Sequence, residues 1–375
     1  MSDVPHLRFP EFSGEWVETT LGKISEITKG SGISKDQLSE QGSPCILYGE
    51  LYTKYKSEII DEVYSRTELD SSSLVKSKAN DVIIPCSGET AIDISTARCV
   101  PFDNILLGGD LNIIRLKHDD GGFFAYQLNG ARKKDIARVA QGVSVVHLYG
   151  ENLKQIRVYH PNIEEQKKIT RLLSLIDERI ATQNKIIEKY KSLIKGIAQH
   201  CIKESTSGNT YVKLGDICQI TTGKLDANAQ VDNGIYPFFT CAEQPFKIDS
   251  FAFDTEALLI SGNGANLGYI NYYKGKFNAY QRTYVLDLFS ENIQYIKWAL
   301  KVLLPKRIAI EKSSSNTPYI VLSTLTDLRL PIPCKSKQSF IANLMQSLER
   351  KLSNQIAQYD SYNYLKQYLL RQMFI

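Results

Sequence analysis

The feature that most constrains the fold of this chain is an internal repeat. Two stretches, one near the start of each half, match residue by residue at a constant offset of 193 positions, from Leu21 to Leu214. The matching residues are Leu21-Gly22, Ile24, Ile27-Thr28 and Gly30 in the first copy, and Leu214-Gly215, Ile217, Ile220-Thr221 and Gly223 in the second. An aromatic-Val pair precedes each copy, as Trp16-Val17 and Tyr211-Val212. Such self-similarity predicts two copies of one structural unit.

A second match marks the end of each copy. Its apolar, proline and glutamine positions agree at an offset of 172, from Leu153 to Leu325. The first copy has Leu153, Ile156, Val158, Pro161, Gln166 and Ile169, and the second has Leu325, Leu328, Leu330, Pro333, Gln338 and Ile341. The copies therefore share a beginning and an end, while the middle of the first is longer by 21 residues, the difference between 193 and 172.

After each shared proline, apolar or aromatic residues recur in alternating steps of four and three, which is typical of a coiled-coil helix. The first series is Ile169, Leu173, Ile176, Ile180, Gln183, Ile187, Tyr190, Ile194, Ile197 and Cys201; the second is Ile341, Met345, Leu348, Leu352, Gln355, Tyr359, Tyr362, Lys366, Leu369 and Met373. The pattern predicts two helices of about 35 to 40 residues that pair as an antiparallel coiled coil. Lys366 interrupts the second seam, and Gln183 and Gln355 either set the register or lie at solvated seam edges.

The regions before the helices are rich in short β-type runs between turn residues, at 81–84, 112–116, 257–260 and 283–286. Each region also holds a helical stretch, 123–128 continuing toward 138 in the first and 293–303 in the second. The predicted fold class is α+β: two mixed α/β globules, each followed by a long helix, with pseudo-twofold symmetry. We expect boundaries at 1–160, 161–205, 206–333 and 334–375, with a polar linker at 204–209.

Composition favours a globular protein and gives little direct support for DNA binding. Hydrophobic residues make up 43% and charged residues 23% of the sequence, which excludes a disordered chain. The net charge is only +4, and residues 1–160 carry 18 basic against 22 acidic side chains. A nucleic-acid partner would therefore be bound through local basic patches or with the help of a partner subunit.

Cysteine usage and the chain start indicate a cytoplasmic protein. The seven cysteines include no CxxC pair, so neither a disulfide framework nor a zinc ribbon is predicted. No apolar run approaches the ~18 residues that span a bilayer. Residues 1–10 lack a basic-then-apolar signal pattern. We therefore expect no membrane partner.

The sequence lacks the residue constellations that enzymes need. It has no GxxxxGK[ST] phosphate loop, no GxGxxG after a strand, no HExxH and no Pro-Asp pair of a common nuclease core. Glu165-Gln166-Lys167 matches an ExK half-motif, but it lies where a helix is predicted to start and acidic side chains favour the helix dipole. All five histidines lie in the first half, so a function shared by both copies does not use them. We predict no catalytic residues, no metal site and no cofactor.

The chain resembles the specificity subunit of type I restriction-modification systems. The residues that carry the resemblance are Trp16-Val17, Leu21-Gly22 and Ile24, their echo in the second copy, and the Leu-x-x-Ile, Pro and Glu-Gln-x-x-Ile pattern ending at Ile169. Together with the paired helices, it covers nearly the whole chain. The second copy departs at one step, where Lys337-Gln338 stands in place of Glu165-Gln166.

The resemblance implies a non-catalytic subunit whose two globules are target-recognition domains. Each would read one half of a bipartite, asymmetric site in double-stranded DNA. Adenine methylation and DNA cleavage would reside in partners, namely two modification (methyltransferase) subunits and two restriction (translocase/nuclease) subunits. The helices would separate the two readers and so set the unread gap between the half-sites.

Some candidate DNA-binding residues lie in polar loops at corresponding places of the two copies, and others lie where basic and aromatic residues interleave. Basic and aromatic side chains suit phosphates and sugars, and Ser, Thr, Asn and Arg suit base edges. The glycines of the shared Ile-Thr-x-Gly, Gly30 and Gly223, are expected to let the backbone approach a ligand such as a phosphate. The candidates are Lys29, Ser31, Lys35, Tyr48, Lys54, Tyr55, Lys56 and Ser87 in the first copy, and Lys224, Thr240, Asn263, Asn266, Tyr272, Lys274 and Arg282 in the second.

Two other functions remain open on the sequence alone. One is a protein-binding adaptor with two globular heads on a coiled-coil spacer. The other is an enzyme with a diverged active site, such as a methyltransferase or nuclease that acts alone. Loss of sequence-specific methylation on exchange of one globule, with assembly intact, would argue against the adaptor, and cofactor binding by the isolated chain would support the enzyme.

Overall fold

The computed structural model describes residues 4–205, 210–311 and 319–375, which divide into two compact units. Unit 1 holds the chain up to Lys185 together with Ala357–Ile375, and unit 2 holds Ile186–Ile356. Both boundaries fall inside a long helix, so each unit contains a segment of both helices. Of the predicted linker, residues 206–209 lie outside the described part of the chain.

Unit 1 combines short strands and short helices before the first long helix. Its strands are β1 Val17–Thr20, β2 Ser25–Lys29, β3 Leu38–Ser39, β4 Ser43–Ile46, β5 Ser65–Thr67, β6 Asp81–Pro85, β7 Ser87–Gly88, β8 Arg98–Val100, β9 Leu106–Leu107, β10 Leu111–Leu116, β11 Val146–His147 and β12 Arg157–His160. Its helices are α1 Leu21–Ile24, α2 Glu50–Thr53, α3 Ala91–Ile94, α4 Gly121–Asn129, α5 Lys133–Val139, α6 Gly150–Lys154 and the first part of α7 Ile163–Glu204.

Unit 2 has fewer and longer strands. They are β13 Thr210–Lys213, β14 Gln219–Thr222, β15 Tyr236–Phe239, β16 Phe246–Ile248, β17 Phe253–Ser261, β18 Ile270–Ala279, β19 Thr283–Asp287 and β20 Arg329–Ile332. Its helices are α8 Ile293–Glu311, α9 Leu322–Thr326 and the first part of α10 Lys335–Gln372. The four strands predicted from the sequence are confirmed as parts of β6, β10, β17 and β19.

Each unit is built on a sheet whose central strands are apolar and buried; the sheet that contains β6 is antiparallel, and the sheet that contains β17 is mixed. In unit 1 the strand order is β2-β10-β6-β8, and a second sheet has the order β3-β5-β4-β9. In unit 2 one sheet has the order β14-β19-β17-β18-β15-β16. Every residue of β6 is buried, as are residues 257–261 of β17. Strands buried on both faces read as continuous apolar runs, which explains why these were recognisable in the sequence.

The shared beginning and end of each repeat meet in space. In unit 1, β1 pairs antiparallel with β12, and in unit 2, β13 pairs antiparallel with β20. The Leu21 amide donates to the Ile156 carbonyl at 2.9 Å, and the equivalent Leu214 amide donates to the Leu328 carbonyl at 2.9 Å. The two sequence matches are therefore the two sides of one structural frame.

A buried glutamine fixes the start of each long helix. The Gln166 amide group donates to the Pro161 carbonyl at 2.9 Å and to Asp119 Oδ1 at 2.8 Å. Its Oε1 accepts a hydrogen bond from the Asp120 amide at 2.9 Å. The Asp120 side chain in turn caps α4 by accepting from the Phe123 amide at 2.7 Å. The glutamine thus ties the start of α7 to the N-terminus of α4.

Unit 2 repeats this arrangement around Gln338. Its amide group donates to the Pro333 carbonyl at 2.9 Å and to Glu291 Oε2 at 2.6 Å, and its Oε1 accepts from the Asn292 amide at 3.0 Å. The Asn292 side chain caps α8 at the Tyr295 amide. Because buried amides must be fully hydrogen-bonded, both glutamines serve the fold. Glu165 beside Gln166 binds Arg8 at 2.7 Å, which agrees with the structural interpretation of that half-motif.

The two long helices pack against each other within each unit, as the seam pattern predicted. α7 has 42 residues and α10 has 38. In unit 1, Leu173 near the start of α7 shares a core with Leu369 near the end of α10. In unit 2, Ile194 near the end of α7 shares a core with Met345 near the start of α10. The helices are therefore antiparallel. None of the helices within 4–205, 210–311 and 319–375 is long and apolar enough to cross a membrane.

The polar residues of the predicted seam are buried or half-buried. Gln183 is 5% exposed, which excludes a solvated seam edge at that position, and Gln355 is half-buried. Lys366, which interrupts the seam, lies in unit 1 with its Nζ 2.5 Å from Glu58 Oε2 and 2.6 Å from Asp177 Oδ1. The Tyr126 hydroxyl donates to Asp177 Oδ2 at 2.7 Å. The interruption is therefore an ion cluster that joins both helices to the globule.

Burial sets the electrostatics of this cluster. Desolvation, followed by the charge of Glu58, raises the pKa of Asp177 to about 6. Desolvation alone would lower the pKa of Lys366, but the two carboxylates outweigh it and the pKa is raised. Lys366 is thus held in its charged form, and each carboxylate depends on it for compensation.

We predict that Lys366→Met destabilises the protein. Methionine fits the apolar seam but leaves Glu58 and Asp177 buried without their cation, and breaking a buried pair costs about 3 to 5 kcal/mol. The matched control is Lys191→Met, because Lys191 is an exposed α7 residue that, among the described residues, pairs only with Glu188, at 2.8 Å. We expect the control to change the free energy of unfolding by ~0.5 kcal/mol or less. Chemical denaturation measures both, and equal stabilities would contradict a role for the cluster.

Candidate nucleic-acid interface

In unit 2, the loops around the ends of β14, β15, β17 and β19 lie next to one another. The Gln281 amide donates to the Leu225 carbonyl at 2.9 Å, and the Gly262 amide donates to the Arg282 carbonyl at 2.9 Å. These bonds join the loops after β14 and β17 to the turn before β19. Five candidates lie on this group of loops, which we call the unit 2 loop cluster: Lys224, Thr240, Asn263, Asn266 and Arg282.

Cys241 connects the uncharged members of the unit 2 loop cluster. Its thiol donates to Asn263 Oδ1 at 3.0 Å, and its carbonyl accepts from Asn266 Nδ2 at 3.0 Å. Thr240 is 7% exposed, and its hydroxyl accepts from the Ala242 amide at 3.2 Å. These three candidates therefore hold the loops in shape. Each asparagine keeps one polar amide atom outside these bonds.

The charged members of the unit 2 loop cluster are available to a ligand. Lys224 and Arg282 are both exposed. Within the part of the chain that the structure describes, neither side chain forms a hydrogen bond or an ion pair. Exposed cations on a fixed loop can contact phosphates or base edges without first breaking an internal bond.

In unit 1, the corresponding loops border an open cleft of about 980 Å³. Lys35, Tyr48 and Lys54 line it, and Ser31 adjoins it at Gly32. Lys54 Nζ lies 2.6 Å from Glu50 Oε1 and 2.9 Å from Ser65 Oγ, so part of its charge is neutralised. Lys35 is exposed and provides the freer cation of this cleft.

The side chains of Lys54, Tyr55 and Lys56 lie in three different places, although the sequence suggested one basic and aromatic patch. Lys54 faces the cleft just described, whereas Lys56 lines a different cleft of about 700 Å³ near Arg132 and Arg371. Tyr55 is 3% exposed, with its ring stacked 5.5 Å from that of Tyr64. Its side chain belongs to the core, so the prediction of a DNA contact for Tyr55 is not supported.

The remaining candidates of unit 1 occupy its sheet and loop ends. Lys29 is exposed at the end of β2, and Ser87 is half-buried on β7, opposite His147 of β11. The Ser31 hydroxyl accepts from the Val75 amide at 2.8 Å and so stabilises the loop.

Two candidates of unit 2 lie on a strand and share a carboxylate. Tyr272 and Lys274 belong to β18, and both face Glu256 of β17, at 2.7 Å for the tyrosine hydroxyl and 3.7 Å for the lysine Nζ. Glu256 lowers the positive charge that this strand presents. Their contribution to phosphate binding would therefore be smaller than that of Lys224 and Arg282.

Close approach of the chain's own backbone accounts for the shared glycines, and their approach to a ligand stays a prediction. A Cβ atom on Gly30 would lie 2.0 Å from the Gly108 carbonyl oxygen, and one on Gly223 would lie 1.8 Å from the Ala279 carbonyl oxygen. In each unit, the glycine that follows the shared Ile-Thr strand, β2 or β14, therefore lies too close to another part of the backbone to carry a side chain.

Asp110 escaped the sequence-based prediction although it lines the unit 1 cleft. It is exposed and directly precedes β10, as Arg282 directly precedes β19. The offset of 172 residues between the ends of the two copies, applied to Arg282, leads to Asp110. That signal is present in the sequence, but a carboxylate is not a residue type expected to contact phosphates.

Within residues 4–205, 210–311 and 319–375, no group of three or more His, Cys, Asp or Glu side chains could hold a metal ion. Burial raises the pKa of the Cys86 thiol near the unit 1 cleft to about 11, so this thiol is protonated and unreactive at neutral pH.

Two parts of the chain, residues 13–191 and 206–359, match the family model of the type I restriction modification DNA specificity domain. The chain is 44% identical over 137 residues to the specificity subunit of type I restriction enzyme EcoDI of Escherichia coli, which covers 36% of this chain and 30% of that protein. It is 24% identical over 256 residues to the specificity subunit of type I restriction enzyme MjaIX of Methanocaldococcus jannaschii, which covers 58% of this chain and 59% of that protein. The chain thus spans less than two thirds of these curated relatives.

The fold is similar to that of solved specificity subunits. The crystal structure of a type I restriction-modification S subunit from M. genitalium superposes with a TM-score of 0.70 over 99% of both chains, at 19% identity. A chain from a structural study of complex assembly and conformational transition of the type I R-M system superposes with a TM-score of 0.57 over 96% of this chain and 97% of that one, at 16% identity.

We predict that Gly30→Ala destabilises unit 1, because the new methyl group meets a backbone carbonyl that cannot rotate away. Overpacking of this kind costs about 1 to 3 kcal/mol. The matched control lies two residues away, since a Cβ on Gly32 meets nothing within 4 Å. Gly32→Ala should change the free energy of unfolding by ~0.5 kcal/mol or less. If Gly30→Ala left stability intact and weakened DNA binding alone, the glycine would serve a ligand after all.

Proposed function

We propose that this chain, which belongs to the family of type I restriction modification DNA specificity proteins, reads a bipartite and asymmetric site in double-stranded DNA, one half-site per unit. The observation that carries the proposal is the duplication of one frame with different loop contents. In both units the loops connect equivalent strands of the repeated frame, yet the side chains on those loops differ. Two readers of unlike chemistry in one chain suit a site whose halves differ in sequence.

The proposed assignment of the chain follows the repeat. Residues 1–160 and 206–333 form the first and second target-recognition domains. Residues 161–205 and 334–375 form the long helices that separate them. The exposed cations of the loops would contact phosphates and base edges, with Lys29, Lys35 and Lys54 acting in the first domain and Lys224 and Arg282 in the second.

Charge explains why this chain would act within a complex. A net charge of +4 over 375 residues supplies few phosphate contacts, and Glu50 and Glu256 neutralise part of the basic side chains near the loops. Affinity for DNA rises steeply with the number of neutralised phosphates. Partner subunits that surround the duplex would provide additional phosphate contacts, while this chain would recognise the base sequence.

Catalysis would belong to the partners. Specificity subunits are in general non-catalytic, and the loops of both units here display polar and basic side chains suited to binding. We propose that two modification subunits carry out adenine methylation of the chosen site and that two restriction subunits translocate and cleave DNA. The position of the methylated adenine would therefore report what this chain recognises.

We predict that the chain directs methylation to one new motif. The chain and its cognate modification subunit are expressed together in cells that lack this system, and single-molecule sequencing maps every methylated adenine. The expected result is a motif of two short, different half-sites with a fixed unread gap, because each unit reads its own bases.

The controls are cells with either subunit alone, which should show no new motif. A single continuous motif would contradict the assignment of one half-site to each unit. A stable complex of both subunits that creates no motif would favour a protein-binding adaptor.

A further inference from the structure

Asp110 of unit 1 and Arg282 of unit 2 occupy the same place in the repeated frame. Asp110 precedes β10, which pairs with β2, and Arg282 precedes β19, which pairs with β14. The Leu111 carbonyl of β10 accepts from the Gly30 amide at 3.0 Å, and the Thr283 carbonyl of β19 accepts from the Gly223 amide at 3.3 Å. The equivalence therefore rests on backbone hydrogen bonds as well as on the offset of 172 residues.

The backbone of both residues is anchored in the same way. The Asp110 carbonyl accepts from the Cys86 amide at 2.8 Å, and the Arg282 carbonyl accepts from the Gly262 amide at 2.9 Å. The next bonds also correspond, since the Leu148 amide donates to the Cys86 carbonyl at 2.7 Å and the Ile320 amide donates to the Gly262 carbonyl at 2.9 Å. A fixed backbone positions a side chain more reproducibly than a free loop does.

Both side chains remain free to bind something outside the chain. Asp110 and Arg282 are exposed, and among the described residues neither side chain has a hydrogen-bond or ion-pair partner. Each stands beside other predicted contacts, Asp110 in the cleft with Lys35 and Arg282 in the cluster with Lys224. The lysines can hold phosphates, which leaves the anchored residue to face the bases.

The two side chains have opposite hydrogen-bonding character. A carboxylate only accepts hydrogen bonds, whereas a guanidinium only donates them. In the major groove, cytosine N4 and adenine N6 are donors, and guanine O6 and N7 are acceptors. One position in the frame thus presents opposite hydrogen-bonding character in the two units.

We propose that Asp110 and Arg282 are a matched pair of specificity-determining residues. Asp110 accepts a hydrogen bond from the exocyclic amine of a cytosine or adenine in one half-site, and Arg282 donates two to a guanine in the other. This inference rests on the proposed function, because it presumes that each unit reads one half-site. It adds which residue differs between the readers and which class of base each one selects.

The test uses the assembled complex of this chain with its modification subunit, and single-molecule sequencing of methylated adenines as the readout. The variants are Asp110→Asn, which keeps the size but adds two N–H donors, and Arg282→Gln, which stays polar but is shorter and loses the charge and the guanidinium fork. The controls are Asp61→Asn and Arg329→Gln, which make the same changes at exposed positions that neither line the unit 1 cleft nor belong to the unit 2 loop cluster.

Each variant should relax or change one base in one half-site and leave the other half-site intact. The expected loss of discrimination at that base is roughly 5- to 150-fold for Arg282→Gln, the range for one bidentate base contact. For Asp110→Asn it is roughly 10- to 150-fold, the range for one hydrogen bond to a charged group. For Arg282→Gln the changed base should be a guanine, and for Asp110→Asn it should be a cytosine or adenine. The unchanged half-site shows that the variant complex still folds and methylates.

Several results would overturn the inference. These are a motif unchanged by both variants, changes spread over both half-sites, or complete loss of methylation in a variant complex that still assembles. In each case the wild-type bipartite motif would still stand. Absence of a bipartite motif for the wild-type complex would instead contradict the proposed function itself, so the two failures are distinguishable.

Discussion

The structure depends on the burial of both long helices in both cores. α7 contributes Leu173 to the core of unit 1 and Ile194 to the core of unit 2, and α10 contributes Leu369 and Met345 in the reverse order. A seam of apolar side chains alone is compatible with several registers. The buried pairing of Lys366 with Glu58 and Asp177 selects one register, since any shift would leave three charges without partners in unit 1.

The two units share the same backbone frame, but their ion pairs and loop side chains differ. Gln166 and Gln338 make the same bonds in both units, whereas the ion pairs near them differ. Asp177 of α7 pairs with Lys366 of α10, but Glu349, the equivalent of Asp177, pairs with Lys297 of α8 at 2.8 Å. The loops show the same contrast, because Asp110 and Arg282 have equivalent backbone hydrogen bonds but opposite charge. A frame of this kind keeps the loops in place while their side chains diverge.

The frame was predictable from the sequence because buried helices and strands require apolar residues at regular positions. The apolar seams predicted the long helices, and the buried runs predicted β6, β10, β17 and β19. The loops were harder, because the side chain of a polar residue can face a ligand or the chain itself. Tyr55 lies in the core, Ser31 accepts a hydrogen bond from Val75 of another loop, Thr240 accepts one within its own loop, and Gly30 lies against a backbone carbonyl. None of these outcomes has a periodic signature, and Asp110 required the repeat alignment together with the backbone bonds.

The most direct measurement of the central claim, that helix length sets the gap between half-sites, is the methylation motif after removal of one heptad from each helix. Deleting residues 183–189 and 355–361 keeps the seam in phase, because Ile180 is then followed by Tyr190 and Leu352 by Tyr362 at the usual spacing. Each helix loses about 10 Å at ~1.5 Å per residue. The control replaces the non-seam residues of the same heptads without changing their length. If the helices act as the spacer, the motif keeps the same two half-sites with a shorter unread gap; an active complex with an unchanged gap would show that helix length does not set it.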